Sequence, residues 1–387
     1  MSHFSIARAQ HKAWSILSRS FRAGRVASTY LFHGREGVGD WSLAVEFAAL
    51  LNCEQPIGDG DDSSISYPCG ECRQCRTIRA LNFEGLQFVV PIRSHKNDSE
   101  AIDFTNEVLE QKRLEPFKML DTSSPINIPI SLARRVKRST SIRPAAGVTR
   151  VVVFYQMEKM RQSSTDALLK LIEEPPADTV IILTAEKPDA LLPTIQSRAQ
   201  KIRLERLPEL AVIEYLQEKY DLTETHAQLL ARLSEGVLGR AIDMAQPEDG
   251  DESSRRAVGL LLFKSLITEP APAALSQIFE LMDFRDRGAA TELVRLWQSL
   301  IRDCAMYAQT GAEDDLVNVD FTNEIKHLAV PFANSNAVSA AVTTLKKTLA
   351  DFPRNVHIAI SLLALALKLR SDLAVPGDSI DQEATGG

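Results

Sequence analysis

Four continuous apolar runs punctuate the first half of the chain: "TYLFHG" from Thr29, "LQFVVP" from Leu86, "RVVVFY" from Arg150 and "TVIILTA" from Thr179. A fifth, "QKIRLERL" from Gln200, alternates in part. Short unbroken runs suit strands buried on both faces of a parallel sheet, and the helical patterns between most of them supply crossovers. Residues 1–207 therefore read as an α/β domain covered on both faces.

From Pro208 the strand signal ends. "PELAVIEYLQEKY", "THAQLLARLSEG" and "VLGRAIDMA" are short helical segments broken by Gly236 and Gly239, which predicts a small helical domain over 208–247. "QPEDGDESSRR" has linker composition. Beyond it, "AALSQIFELM", "ATELVRLWQSLIRDCAMYAQ", "AVSAAVTTLKKTLADF" and "NVHIAISLLALALKLRSDL" predict an all-helical domain over 255–374. The last helix is apolar over more than one face, as suits a bundle interior or the surface of another subunit. Residues 375–387 read as a disordered tail. A polar segment near 94–125, helical around "AIDFTNEVLEQKRLEPFKML", reads as an inserted surface excursion with no assigned chemistry.

A 387-residue chain that is 44% hydrophobic and 25% charged has room for several cores. Its formal charge of -7 argues against a protein coated for nucleic acid, although a local patch can still meet phosphates. The beginning of the sequence lacks a secretory h-region and no run approaches the roughly 20 apolar residues of a membrane span, so a cytoplasmic protein is expected.

In a reducing compartment clustered cysteines read as metal ligands. Cys53 is followed by "CGECRQC", which holds Cys69, Cys72 and Cys75. Four thiolates complete a closed tetrahedral Zn²⁺ site, with two-residue gaps bringing neighbouring sulfurs to one metal. An iron–sulfur cluster and free thiols are the alternatives. Cys304, alone on an apolar helix, reads as core.

After the first run comes "HGREGVGDWS". Gly34, Gly37 and Gly39 stand as in a phosphate-cradling loop of the form G-x-x-x-x-G-K-[ST], yet Asp40 and Trp41 take the places of the lysine and the hydroxyl. An anion at position 40 would repel a phosphate by roughly 4 kcal/mol at about 4 Å and an effective dielectric near 20. It can instead complement the helix's positive end, and this stretch alone reads equally well as a plain strand-to-helix turn. After "RVVVF", Tyr155 and Gln156 stand where hydrolysing relatives of such loops keep an acidic pair for Mg²⁺ and water. Losses at two separated places favour a site without turnover.

"STYLFHGREGVG", the cysteine cluster, "VVVFYQMEKMRQSSTDALLKLIEEPPADTVIILTAEKPDALLPTIQSRAQKIRLERL" and "SEGVLGRAI" resemble, in order and spacing, the AAA+ subunits of the bacterial DNA polymerase III clamp loader, up to about residue 245. The resemblance implies a P-loop-type AAA+ parallel-sheet domain with a zinc module, a small helical lid and a helical C-terminal collar. Within that family the gamma/tau motors keep the lysine and the acidic pair, whereas delta-prime subunits commonly lose them and keep a Ser-Arg motif. The degenerate set here, with Ser197 and Arg198, resembles the delta-prime kind.

That resemblance implies an arginine finger at Arg198, supported by Ser197, lent to ATP held by a neighbouring gamma/tau subunit. It also implies gamma/tau and delta partners, with the sliding clamp and primer-template DNA reached through the assembly. Ala199 replaces the family's usual cysteine. The family's sensor arginine aligns with Gly239, leaving Arg240 one position off, and Thr184 is the nearest candidate for the sensor on the preceding strand.

Arg134, Arg135, Lys137, Arg138, Arg143 and Arg150 form a basic run, read as a solvated or subunit-facing helix face in preference to a DNA contact. Two rival functions remain: an active gamma/tau-like motor, and a zinc-stabilised DNA-binding scaffold.

Overall fold

The structure is a computed structural model describing residues 4–58, 64–95, 97–120, 126–160, 168–246, 252–284, 286–313, 315–352 and 356–373. The chain divides into two compact units, 1–245 and 246–387. The proposed tail lies outside the described residues.

All five runs form strands: β1 (Thr29–His33), β2 (Leu86–Val89), β3 (Arg150–Phe154), β4 (Thr179–Ala185) and β5 (Gln200–Arg203). They make one parallel sheet in the order β2-β3-β4-β1-β5. Every residue of β3 and β4 is buried, which accounts for their unbroken apolar sequence. On β5, which pairs with β1 alone, Ile202 is buried while Lys201 and Arg203 are exposed. The alternation of that run is the signature of a sheet edge guarded by charge.

Register aligns Phe32 of β1 with Thr184 of β4, and Phe154 of β3 with Leu183. The segments leaving β1, β3 and β4 therefore emerge side by side at the carboxyl edge, the usual place for a ligand in an open parallel sheet. Helix α1 (Asp40–Leu51) starts directly after the glycine loop, and Leu43, Phe47 and Leu50 are fully buried. The helices Glu209–Tyr220, Glu224–Ser234 and Leu238–Ala245 belong to this first unit.

The second unit is helical, and its main core gathers Phe263, Trp297, Leu300, Cys304, Phe332 and Leu362. Cys304 is fully buried. The stretch read as a linker is in part a helix, Glu252–Thr268. Arg256, apparently a polar linker residue, is buried against Asp320 at 2.8 Å and stacks over Phe321. A buried ion pair of this kind has no signature in the local pattern, because its partner lies far along the chain. The apolar last helix, Ile358–Asp372, buries Leu362, Leu365 and Leu369 but leaves Ile360 and Leu367 exposed.

Candidate functional site

The loop from Gly34 to Gly39 spans the carboxyl end of β1 and the start of α1. Gly39 caps that helix at φ +103°, where a side chain is strained, and a Cβ there would lie 2.4 Å from Ile6 Cδ1 and 3.1 Å from Phe117 Cε1. Phe117 belongs to the inserted segment. It packs edge-on against Phe4 and Tyr215, and only 5% of it is exposed.

The insertion is thus not a surface excursion. Its helix α2 (Asp98–Leu114) carries Lys112 inward until 2% of the residue remains exposed. The ammonium donates to the Lys118 carbonyl at 2.6 Å and lies 3.4 Å from the Tyr155 hydroxyl. It also sits 4.9 Å from the Tyr155 ring centre and 5.7 Å from that of Trp41. The Leu120 amide, in the same segment, donates to Glu36 of the glycine loop at 3.4 Å.

The expectation that Asp40 serves the helix end by itself needs correction. Burial raises the Asp40 carboxyl above its ordinary range, while the charge of Lys112 and the Thr184 hydroxyl pull it back. Glu36 is likewise raised by burial and by Asp40 and drawn down by Lys112. Lys112 is itself lowered to about 8, burial outweighing the attraction of Asp40 and Glu36. The usual polarity is inverted: position 40 supplies the anion, and the cation arrives from the insertion.

Trp41 and Tyr155, read from sequence as two separate losses, form one contact. Their rings meet edge to face at 5.2 Å, and Trp41 stacks on Phe88 of β2 at 4.2 Å. Both are 1% exposed. With Phe88 the two rings make one buried aromatic cluster next to the start of α1. Removing both rings singly and together (Trp41→Leu, Tyr155→Leu) is expected to give a coupling energy of about 0.5–1.5 kcal/mol in urea denaturation. A coupling of zero would show that the contact carries nothing.

Gln156 follows in a left-handed conformation (φ +52°), and its amide donates to Thr184 Oγ1 at 3.0 Å. Thr184 is completely buried, and its hydroxyl also acts on the Asp40 carboxyl at the start of α1. At Gly239 a Cβ would come within 2.7 Å of the Phe117 carbonyl and 2.8 Å of Met119 Cγ, while its amide donates to Gly37 O at 2.9 Å. The insertion packs directly against Gly239 and leaves no room there for a side chain.

Ser197 and Arg198 lie elsewhere, exposed at the end of the short helix Pro193–Gln196. Arg198 donates to the Thr194 carbonyl at 3.0 Å and lies 3.3 Å from Glu173 Oε1, with 44% of its side chain exposed. A guanidinium held this loosely is presented outward and does not reach the chain's own glycine loop pocket.

The four cysteines converge. Their sulfurs all lie within 4.8 Å of one another. Cys69 and Cys75 are 3.9 Å apart, close to the roughly 3.8 Å edge of a tetrahedron with 2.3 Å metal–sulfur bonds. The amides of Cys69, Cys72 and Cys75 donate to the sulfurs of Cys53, Cys69 and Cys72 at 3.2–3.4 Å. The Cys72 amide in particular draws the Cys69 thiol down to about 7, whereas burial pushes the Cys53 and Cys75 thiols up. N–H donors aimed at sulfur stabilise thiolates, the form that holds a metal. The quartet is therefore close enough to bind a metal ion.

Arg134, Arg135, Lys137 and Arg138 share the exposed face of α3 (Ile130–Thr140), and Arg143 follows exposed. Arg150 departs from the run: it is 7% exposed and donates to the Ile142 carbonyl at 2.8 Å. Lys112 and Phe117 were not singled out in the sequence. Lys112 stands in the charged run "EQKR", where nothing local distinguishes the one cation that turns inward.

Sheet order, glycine loop and buried helix start define a P-loop-type AAA+ α/β domain followed by a helical unit. Residues 9–208 match the family model described as DNA polymerase III, delta subunit, and the chain belongs to that family, as a delta-prime-like clamp-loader subunit. It is 24% identical to DNA polymerase III subunit delta' of Bacillus subtilis over 87% of this chain and 89% of that protein. To the tau subunit of Salmonella typhimurium it is 26% identical over 90% of this chain and 47% of that protein. To the delta' subunit of Pseudomonas aeruginosa it is 28% identical over 49% of this chain and 45% of that protein. The chain thus spans about half the length of that tau subunit. Among the described residues no helix is long and apolar enough to cross a membrane.

Proposed function

We propose that the chain is a non-hydrolysing member of a cytoplasmic clamp-loader assembly, lending Arg198 to an ATP bound by a neighbouring gamma/tau-type subunit. The observation that carries this reading is the filled nucleotide site. Lys112, Phe117 and the Trp41–Tyr155 pair occupy the space around the glycine loop, and Asp40 puts a carboxyl in the lining of the cavity beside it. An active motor would need that space for a nucleotide and a lysine from the loop itself.

Arg198 suits the lent role because it is permanently charged, planar and tethered by one carbonyl and one partly exposed carboxylate. In the assembly, the delta subunit, sliding clamp and primer-template DNA are reached through the partners. The test is to mix the purified chain with gamma/tau and delta subunits and measure DNA-stimulated ATP turnover. Magnesium-dependent phosphate release by this chain alone would overturn the reading.

We read the cysteine quartet as a structural zinc site, in which Cys53, Cys69, Cys72 and Cys75 would hold the ion and tie the start of the helix Arg73–Arg79 to the end of α1. Purified from cells, the chain is expected to carry one zinc by elemental mass spectrometry, and Cys69→Ser to lower zinc affinity at least tenfold. Iron in place of zinc would contradict this assignment.

A further inference from the structure

Outside the plug formed by the insertion, a cavity of about 120 Å³ remains at the carboxyl edge of the sheet, lined by Gly34, Glu36, Asp40, Gln156, Glu158, Lys159, Glu186 and Lys187. Its volume equals the share of roughly four waters. Two of its lining side chains have unmet polar atoms. Both side-chain amide atoms of Gln156 are buried without a hydrogen-bond partner, although the residue is only 5% exposed. Its amide lies near enough to the Glu36 carboxyl to lower it, but not in hydrogen-bonding geometry. Glu158 accepts the Glu186 amide at 2.9 Å through Oε1, while its Oε2 is buried and unpartnered.

Four carboxylates line this space against two lysines, Lys159 and Lys187, both exposed. Even with Lys112 counted behind Asp40, anions outnumber cations four to three. Burial raises Glu36, Asp40 and Glu158 alike, so a bound cation would favour their ionised forms and be the charge that complements this lining. The carboxylates do not gather as a compact metal site: among the described residues only the four cysteines bring three or more His, Cys, Asp or Glu ligand atoms within 4.8 Å of one another. Acceptors spread more widely suit a flat donor with several N–H groups, which can engage a carboxylate on one side and an amide carbonyl on the other.

We propose that this cavity binds a guanidinium group, with Glu158 Oε2 and Gln156 Oε1 as its principal acceptors. The site is separate from Arg198 and does not depend on the role proposed for that residue. The guanidinium can come from free arginine or from an arginine side chain displayed by another polypeptide, two sources with the same chemistry.

The experiment is calorimetric titration of the full chain with acetyl-arginine-methylamide, free arginine, acetyl-citrulline-methylamide and inorganic phosphate. The arginine compounds are expected to saturate in the millimolar range, and the neutral citrulline analogue and phosphate to give no saturable heat. Tighter binding of the capped compound assigns the site to a polypeptide arginine, and tighter binding of free arginine to the small molecule. Glu158→Gln should weaken binding at least fivefold. Lys159→Ala, which removes a competing cation at the rim, should tighten it about twofold to threefold, a gain that misfolding cannot mimic. Equal binding of citrulline, binding of phosphate instead, absence of arginine binding, or indifference to both substitutions would each overturn the proposal.

Discussion

Arg198→Ala is expected to abolish most ATP turnover at the one neighbouring site that receives the guanidinium, by about 10³-fold, while the affinity of that site for ATP changes little. The magnitude follows from charge stabilisation in phosphoryl transfer, where a finger acts on the transition state more than on bound nucleotide. In the reconstituted assembly the total rate should fall by the share of that site. The substitution is a clean probe. Arg198 loses a contact with Glu173 at 3.3 Å between partly exposed groups, an interaction worth little, so folding stability should move by no more than about 0.5 kcal/mol. Arg198→Lys should not restore the rate, because an ammonium cannot reproduce the planar fork. Unchanged DNA-stimulated turnover with Arg198→Ala, measured on an assembly shown to contain the variant, would remove the finger from the proposal.

The second large effect concerns the lysine that fills the chain's own site. Lys112→Met keeps the length and apolar stem but takes from Asp40 and Glu36 the charge that draws their raised carboxyls back down. Asp40 and Glu36 are half-buried and line an open cavity, so the loss should fall below the roughly 3–5 kcal/mol of breaking a fully buried pair, and urea denaturation at pH 7.5 should register it. The loss should shrink toward pH 5. Both carboxyls already sit above their ordinary range, and without the lysine they take up protons more readily, which removes the stranded charge.

In the parent protein the sign for Lys112 runs the other way along the pH axis. Its folded value of about 8 is below the roughly 10.4 of an unfolded chain. Between those values the unfolded state holds a proton that the folded state has released, so this group's contribution to stability rises as pH increases from about 8 to about 10.4. A variant whose stability and pH profile match the parent would show that the ammonium is not part of the plug.

Much of the first unit was legible because local pattern and tertiary role coincide. The unbroken runs in β3 and β4 are apolar for the reason that both faces are covered, and the charges on β5 mark an edge. The cysteine spacing announced a four-sulfur centre, and the sulfurs do meet. The family was readable from the motifs around Gly34 and Arg198, and the match over residues 9–208 agrees.

The misreadings share one cause. Arg256 in the supposed linker, Arg150 in the basic run and Lys112 in the insertion all look like solvated cations, yet each is buried because a distant acceptor is waiting. Charge in a local window reports a preference for water, and a hydrogen-bonding or ionic partner far along the chain reverses it. The position of Phe117 against Gly39 is equally silent in sequence, since it depends on where the chain returns after α2.

By itself the sequence determined the order of strands along the chain, the four cysteines that cluster, and the presence of Asp40 where phosphate-binding loops carry a lysine. Those properties depend on residue identity and short spacing. Only the tertiary structure decided that Trp41 and Tyr155 are a single contact, that Lys112 restores a cation from outside the loop, and that Gly239 has no room for a side chain. These are encounters between segments tens of residues apart, fixed by packing at the carboxyl edge of the sheet, where the segments leaving β1, β3 and β4 crowd against the insertion.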